Sequence, residues 1–312
     1  MVSVELNKSI TQKVILPDGN KSVEVYLQRD DLIHPLIGGN KYYKMKYNLL
    51  EAKKNNYDTI LTFGGAFSNH IYAVSAAANL FGFKSIGIIR GEEYYPLNPT
   101  LQFAVNNGMK LHYLDRETYR NRFDQEFRET IAKQFGRVYI LPEGGTNELA
   151  LEGTAEIIKN IKVDYDYLCA PIGSGGTVTG LIMGSDNNKM IIGFSSLKGG
   201  EYLSSIISEL ISNSSNREFD NWMINHEYHF GGFAKINMDL VEFVNWFKEK
   251  NNVQLDLIYN GKMMYGINEL IRQNYFPADS KIVAIHTGGL QGLEGMKSKI
   301  EKLYKSSNSP LK

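Results

Sequence analysis

Cysteine is nearly absent: Cys169 stands alone among 312 residues, so no internal disulfide can form. That suits a reducing compartment. An excess of either charge is missing too, since 34 Lys and Arg balance 34 Asp and Glu. Nothing in that balance suggests a nucleic-acid surface or a membrane-seeking face. No apolar run approaches the ~20 residues that a membrane-spanning helix needs. The stretch from Met1 to Pro17 also lacks the long apolar core of a secretory signal. Internal repeats and low-complexity tracts are missing as well. These absences lead to the expectation of a cytoplasmic protein, long enough for about two domains.

What is there is an alternation of short apolar runs and longer amphipathic ones, the pattern of an α/β protein with a mostly parallel sheet. Strands are predicted at Thr59 to Phe63, Lys84 to Arg90, Lys110 to Leu114, Arg137 to Leu141, Tyr167 to Pro171, Lys189 to Ser195 and Lys281 to His286. Helices are predicted at Asn69 to Phe81, Asn98 to Asn107, Phe123 to Gln134 and Ala150 to Ile161. Two more are predicted at Tyr202 to Ser212 and Met238 to Glu249, with a surface loop over Ser212 to Asn216. Glycine pairs follow four of the strands, at Gly64-Gly65, Gly144-Gly145, Gly175-Gly176 and Gly288-Gly289. In open α/β sheets ligands sit outside the carboxyl ends of strands, so four such pairs suggest a crevice lined by backbone.

The richest stretch is Leu36 to Met45, where a Gly-Gly-Asn turn delivers Lys41 onto a helix start with Lys44 one turn on. Asn40 reads as the N-cap, and the two lysines share a face. They form either a solvated basic helix start or a pair serving one anionic, carbonyl-bearing ligand. The loop Gly173-Ser174-Gly175-Gly176-Thr177 joins a strand to a helix predicted to begin near Val178. Such a loop aims N–H groups and a positive dipole end at an anion. A nucleoside triphosphate would want Gly-Lys-Ser/Thr, which is missing. A dinucleotide would want a third glycine, where Val178 stands, and a carboxylate ending the next strand, where Ser195-Ser196 stand. A single terminal phosphate remains, as in pyridoxal phosphate. Its aldehyde would bond to a lysine amine and its ring would accept electrons. Lys44, as a cationic neighbour, would help to deprotonate Lys41.

Taken together with Arg29-Asp30-Asp31, Ser68-Asn69-His70, Pro142-Glu143-Gly144-Gly145, Tyr259-Asn260-Gly261-Lys262 and His286-Thr287-Gly288-Gly289, these segments give a pattern. It resembles the family of pyridoxal-phosphate enzymes containing 1-aminocyclopropane-1-carboxylate deaminase and D-cysteine desulfhydrase. The resemblance implies a fold-type-II architecture of two doubly wound open twisted sheets. A small domain, 41–151, would be inserted into a large cofactor-binding domain, 1–40 with 152–312. It also implies that Lys41 carries the cofactor, that Lys44 and the loop Gly173, Ser174, Gly175, Gly176 and Thr177 hold its phosphate, and that Asn69 bonds its phenolic oxygen. Thr287 would stand beside the ring. Ser68, with Asn69 and His70 at the same helix start, would face the substrate carboxylate, and Tyr259 would serve in proton transfer. His70 equally reads as a core residue and His286 as structural. No metal ligands are implied, and a homodimer is expected by analogy.

Three positions depart from the pattern. Asn260 stands where the deaminases have a glutamate beside the pyridine nitrogen. Thr287 stands where they have leucine and the desulfhydrases a hydroxyl. Phe233 stands near a position where the family often has tyrosine, and a phenylalanine transfers no proton. Neutral Asn260 and Thr287 make a weaker electron sink, which favours expelling a β-thiolate over opening a cyclopropane ring. The expected reaction is β-elimination from D-cysteine to pyruvate, ammonia and sulfide, with Lys41 or a tyrosine as base. The alternatives are cyclopropane ring opening to 2-oxobutanoate and ammonia, or a silent cofactor-binding carrier.

Overall fold

The computed structural model describes residues 6–17 and 23–307. Met1 to Glu5, part of the stretch read for a secretory signal, lie outside the described residues. The first half of the chain contributes β1 (Thr11–Lys13), β2 (Glu24–Gln28), α1 (Asn40–Lys54), β3 (Thr59–Gly65), α2 (Asn69–Phe81), β4 (Lys84–Arg90), α3 (Pro99–Asn106) and β5 (Met109–Leu114). Then come α4 (Gln125–Lys133), β6 (Tyr139–Leu141), α5 (Glu148–Ala155), β7 (Tyr167–Ile172), α6 (Gly176–Gly184) and β8 (Met190–Ser195). The chain continues with α7 (Leu203–Ser214), β9 (Trp222–Asn225), α8 (Met238–Asn251), α9 (Asn260–Arg272), β10 (Lys281–Ile285) and α10 (Lys297–Ser307).

These strands form two sheets, ordered β5-β4-β3-β6 and β1-β2-β10-β7-β8-β9. All pairings in the first are parallel, and in the second only β1–β2 is antiparallel. Strands covered on both faces read as near-continuous apolar runs, as β10 does from Ile282 to Ile285, and β3 is buried from Thr59 to Gly64. Helix starts follow local capping: Asn98, Asp124, Asn147 and Asn237 each accept a backbone N–H of the first turn. No helix of the described residues is long and apolar enough to cross a membrane.

Several expectations need correction. Residue Ser212 does not open a loop, because α7 continues to Ser214. The span Ala150 to Ile161 is α5 followed by a 3-10 turn, Glu156–Asn160. Helix α6 starts at Gly176 rather than near Val178. The cap of α1 is Gly39, and Asn40 is already helical, its side chain committed elsewhere. Strand patterning missed β1, β2 and β9, and helix patterning missed α9 and α10.

Parallel strands put their carboxyl ends together. The glycine turns after β3 and β6 therefore edge one sheet, and those after β7 and β10 edge the other. Side chains join the two edges. The Gly144 Cα lies close enough to Ser174 that an added Cβ would sit 2.7 Å from its hydroxyl. Likewise an added Cβ on Gly289 would meet the Asn69 amide nitrogen at 2.5 Å.

Candidate active site

Lys41 stands in the first turn of α1 because Gly39 takes φ 74, a left-handed value that suits glycine. There is also no room for a side chain, since a Cβ on Gly39 would fall inside the Thr287 carbonyl. The Gly39 N–H donates to Asp30 O at 2.8 Å and that of Asn40 to Thr287 O at 3.4 Å. Lys41 Nζ donates to Asn40 Oδ1 at 3.0 Å, and Asn40 Nδ2 donates to Thr177 Oγ1 at 2.8 Å. The Asn40 amide thus spans the amine and the anion loop. Burial lowers the Lys41 amine to about 8, against the pull of the Asp256 carboxylate. Lys44 is itself held well below the usual lysine range, chiefly by burial and then by the repulsion between the two amines.

Lys44 is 2% exposed, and its Nζ donates to Gly144 O at 2.9 Å, Thr146 Oγ1 at 3.1 Å and Ser174 Oγ at 3.2 Å. Thr146 and Ser174 share a hydrogen bond of 2.8 Å. Gly175, at φ 84, turns the chain into α6, whose first N–H groups have no intrahelical partner. A Cβ on Gly176 would meet Thr146 at 2.8 Å and Lys44 Nζ at 3.1 Å, so only glycine leaves this hollow open. One amine, the hydroxyls of Thr146, Ser174 and Thr177, and a helix start therefore surround one small volume. That is a cradle for a single phosphate.

Opposite, Ser68 caps α2: its Oγ accepts from His70 N at 3.2 Å and Ile71 N at 3.3 Å. Asn69 Oδ1 accepts from Gln291 Nε2 at 2.9 Å. His70 is 3% exposed and lies beneath Gly145, where an added Cβ would meet its Cε1 at 2.9 Å. Its Nε2 bonds at 2.8 Å to the Thr62 hydroxyl, which itself donates to Leu141 O at 2.8 Å. Burial, with Lys41 and Lys44 nearby, keeps this imidazole neutral. His70 therefore backs the Gly144-Gly145 turn from within.

Tyr259 precedes α9 and lies against Gly173, where an added Cβ would be 3.3 Å from its ring and hydroxyl. Burial pushes its phenol above the ordinary value. The carboxylate of Asp256, 1% exposed, accepts from the N–H groups of Ile258 at 2.8 Å, Tyr259 at 2.7 Å and Asn260 at 3.0 Å. Asn260 is fully buried and fully used. Its Nδ2 donates to Asp256 at 2.5 Å and Gly288 O at 2.9 Å, while Oδ1 accepts from Thr287 N at 2.9 Å and Thr287 Oγ1 at 3.2 Å. It locks the loop that holds Gly39. His286 is structural, as expected: Nε2 meets Gln254 O at 2.8 Å and Nδ1 accepts from Gly288 N at 3.1 Å.

The fold thus gathers Lys41, Lys44, Ser68, Asn69, Tyr259, Thr287 and the loop 173–177 at the facing sheet edges. Thr146, Asp256 and Gln291 join them unforeseen. The hydroxyl of Thr146 directly after Glu143-Gly144-Gly145 was the available signal for the first. A part-buried lysine at a helix start beside a one-phosphate cradle fits the family whose sequence pattern is found over residues 8–288, that of the pyridoxal-phosphate-dependent enzymes. The chain belongs to that family.

Among its relatives, a candidate 1-aminocyclopropane-1-carboxylate deaminase from Pyrococcus furiosus is 30% identical, over 93% of this chain and 92% of its own. The bifunctional D-cysteine desulfhydrase/1-aminocyclopropane-1-carboxylate deaminase of Arabidopsis thaliana mitochondria is 29% identical, over 89% of this chain and 74% of its own. A solved 1-aminocyclopropane-1-carboxylate deaminase homologue superposes with a TM-score of 0.83 at 26% identity, covering 96% of this chain and 95% of the other. The architecture is fold type II and the cofactor is pyridoxal phosphate. The residues present fit it. A lowered lysine amine suits an aldehyde, and the hollow over Gly176, ringed by Lys44, Thr146, Ser174 and Thr177, suits a phosphate.

Proposed function

We propose that this enzyme is a deaminating lyase of a small amino acid, D-cysteine first, releasing sulfide, pyruvate and ammonia. Lys41 holds the cofactor. Lys44, Gly173, Ser174, Gly175, Gly176 and Thr177 hold its phosphate with Thr146, Asn69 borders its phenolic oxygen, and Thr287 borders its ring. When bound, the cofactor supplies the electron sink that stabilises negative charge at the substrate α-carbon. Ser68 and the α2 N–H groups bind the substrate carboxylate, which the helix dipole favours.

The observation that carries the reading is the divided behaviour of the two candidate bases. Lys41 is lowered to about 8, so its amine is available to take the α-proton. Tyr259 is raised, so its phenol stays protonated and serves as a donor. Loss of the α-proton to Lys41 lets the β-carbon–sulfur bond break, sulfide leaving with the electron pair. Water then replaces nitrogen and yields the keto acid. Asn260 has no free valence, so the group beside the cofactor ring is the neutral Thr287 hydroxyl. That supports elimination of a good leaving group. The names of the relatives support a second reading, cyclopropane ring opening to 2-oxobutanoate.

The proposal extends to the wider description: domains 41–151 and 1–40 with 152–312, a homodimer, and a cytoplasmic location. The test is holoenzyme incubated separately with D-cysteine, L-cysteine and 1-aminocyclopropane-1-carboxylate. Equal sulfide and pyruvate from D-cysteine is expected, lost in Lys41→Ala, with borohydride fixing the pyridoxyl group on Lys41. Keto acid from the cyclopropane substrate alone would establish the second reading. No keto acid from any small amino acid, with cofactor bound, would leave a carrier.

A further inference from the structure

The loop between β9 and α8 is unlike any other here. Phe230, Gly231, Gly232 and Ala234 have φ values of 53, 90, 114 and 54, so two non-glycine residues sit in the left-handed region. Each such residue is strained, and it persists only where its surroundings over-determine it. What determines it is a buried lysine. Lys262, in the first turn of α9 and 1% exposed, donates from one Nζ to His229 O at 2.8 Å and to Gly232 O at 2.8 Å. From α10, Lys299 donates to Ala234 O at 3.0 Å. The Lys262 ammonium has carbonyls rather than a carboxylate at hand, with Asp256 favouring its charge from further off. Burying a cation on these terms is expensive, and the strained loop is what it secures.

The loop presents Phe233. That ring is half-exposed, yet it leans edge-on against Tyr259, centroids 6.1 Å apart. Tyr259 in turn lies on Gly173 of the phosphate cradle. We infer that Lys262 is a positioning residue that pins loop 228–235, and that Phe233, so placed, is the wall that limits the β-substituent of the amino acid. This rests on the proposed reading that an amino acid binds between Ser68 and Tyr259.

The test uses holoenzyme carrying Phe233→Ala, Lys262→Met, Lys262→Gln or Lys262→Arg, and has two arms. In the first, amide hydrogen exchange over 229–235 is compared with that over α9. Lys262→Met is expected to speed loop exchange tenfold or more, with Lys262→Gln between and Lys262→Arg near wild type. In the second, the cofactor absorbance is titrated with D-alanine and with D-phenylalanine, which needs no turnover. Phe233→Ala and Lys262→Met are expected to shift preference toward D-phenylalanine at least tenfold, and the double variant no further than either alone. Unchanged loop exchange in Lys262→Met and Lys262→Gln would overturn the pinning. Equal weakening for both ligands in Phe233→Ala, an exposed site that tolerates truncation, would overturn the wall. If wild type binds these amino acids yet releases no keto acid from D-cysteine or from 1-aminocyclopropane-1-carboxylate, the lyase reading fails while this inference stands.

Discussion

The lowered amine of Lys41 can be measured before any substrate is tried. An ordinary lysine titrates at 10.5, and burial brings this one to about 8. At pH 7 that difference raises the neutral fraction by roughly 300-fold, because each unit is a factor of ten. Asp256 opposes the shift, so Asp256→Asn should move the midpoint lower still. The assay is competitive acetylation of apoprotein by trace acetic anhydride from pH 6 to 11, read peptide by peptide. Lys41 should reach half of its plateau of reactivity near pH 8 and level off about one pH unit above that, where a lysine of ordinary value would still be rising. The sign for stability follows. A lysine depressed in the folded state binds fewer protons there than when unfolded, so its burial penalty is full below pH 8 and fades as pH climbs to 10.5. Asp256→Asn carries its own complication, since its new amide would face the N–H and amide donors of Asn260. Its unfolding must be followed in parallel, with about 1–3 kcal/mol lost for each buried group left unpaired. A Lys41 midpoint near 10.5 in folded wild-type apoprotein would refute the reasoning.

Gly176→Ala should raise the pyridoxal phosphate dissociation constant tenfold or more in a fluorescence titration, because the methyl meets Thr146 at 2.8 Å. Apoprotein stability should fall as well, since Thr146 has to give way to the methyl, so urea unfolding of the variant is followed in parallel. Asn260→Ala leaves the buried Thr287 N–H and Gly288 carbonyl without partners and should cost about 2–4 kcal/mol in urea unfolding. Ser68→Ala removes an N-cap, worth about 1 kcal/mol; its KM for D-cysteine should rise well beyond that of Ser68→Thr, which keeps the hydroxyl.

Much of this arrangement could be read from sequence because strands ending in glycine pairs announce themselves. An apolar run is legible through its neighbours alone, and Lys84 to Arg90 was placed to the residue. Lys41, Lys44 and the loop 173–177 were legible for a similar reason: glycine next to a polar donor is a local signal. Helix α9 was hidden by Gly261 and Gly266, which weaken helical patterning. The fold needs both, since Cβ atoms there would lie 2.6 Å from Asp256 O and 2.7 Å from Phe194. Asn40 misled because its amide has better use between Lys41 and Thr177 than as a cap. Thr146 and Lys262 act on partners remote in sequence, which no spacing rule encodes, whereas Asp256 caps the N–H groups of Ile258, Tyr259 and Asn260 just after it, a local signal left unread.

Gly39 owes its pose to a carbonyl far along the chain from it, that of Thr287. A chain still emerging from the ribosome has no such buttress until β10 has been made and paired with β2. Cofactor capture is thus a late event in the protein's life, and truncation anywhere upstream of β10 should yield a product that stays colourless.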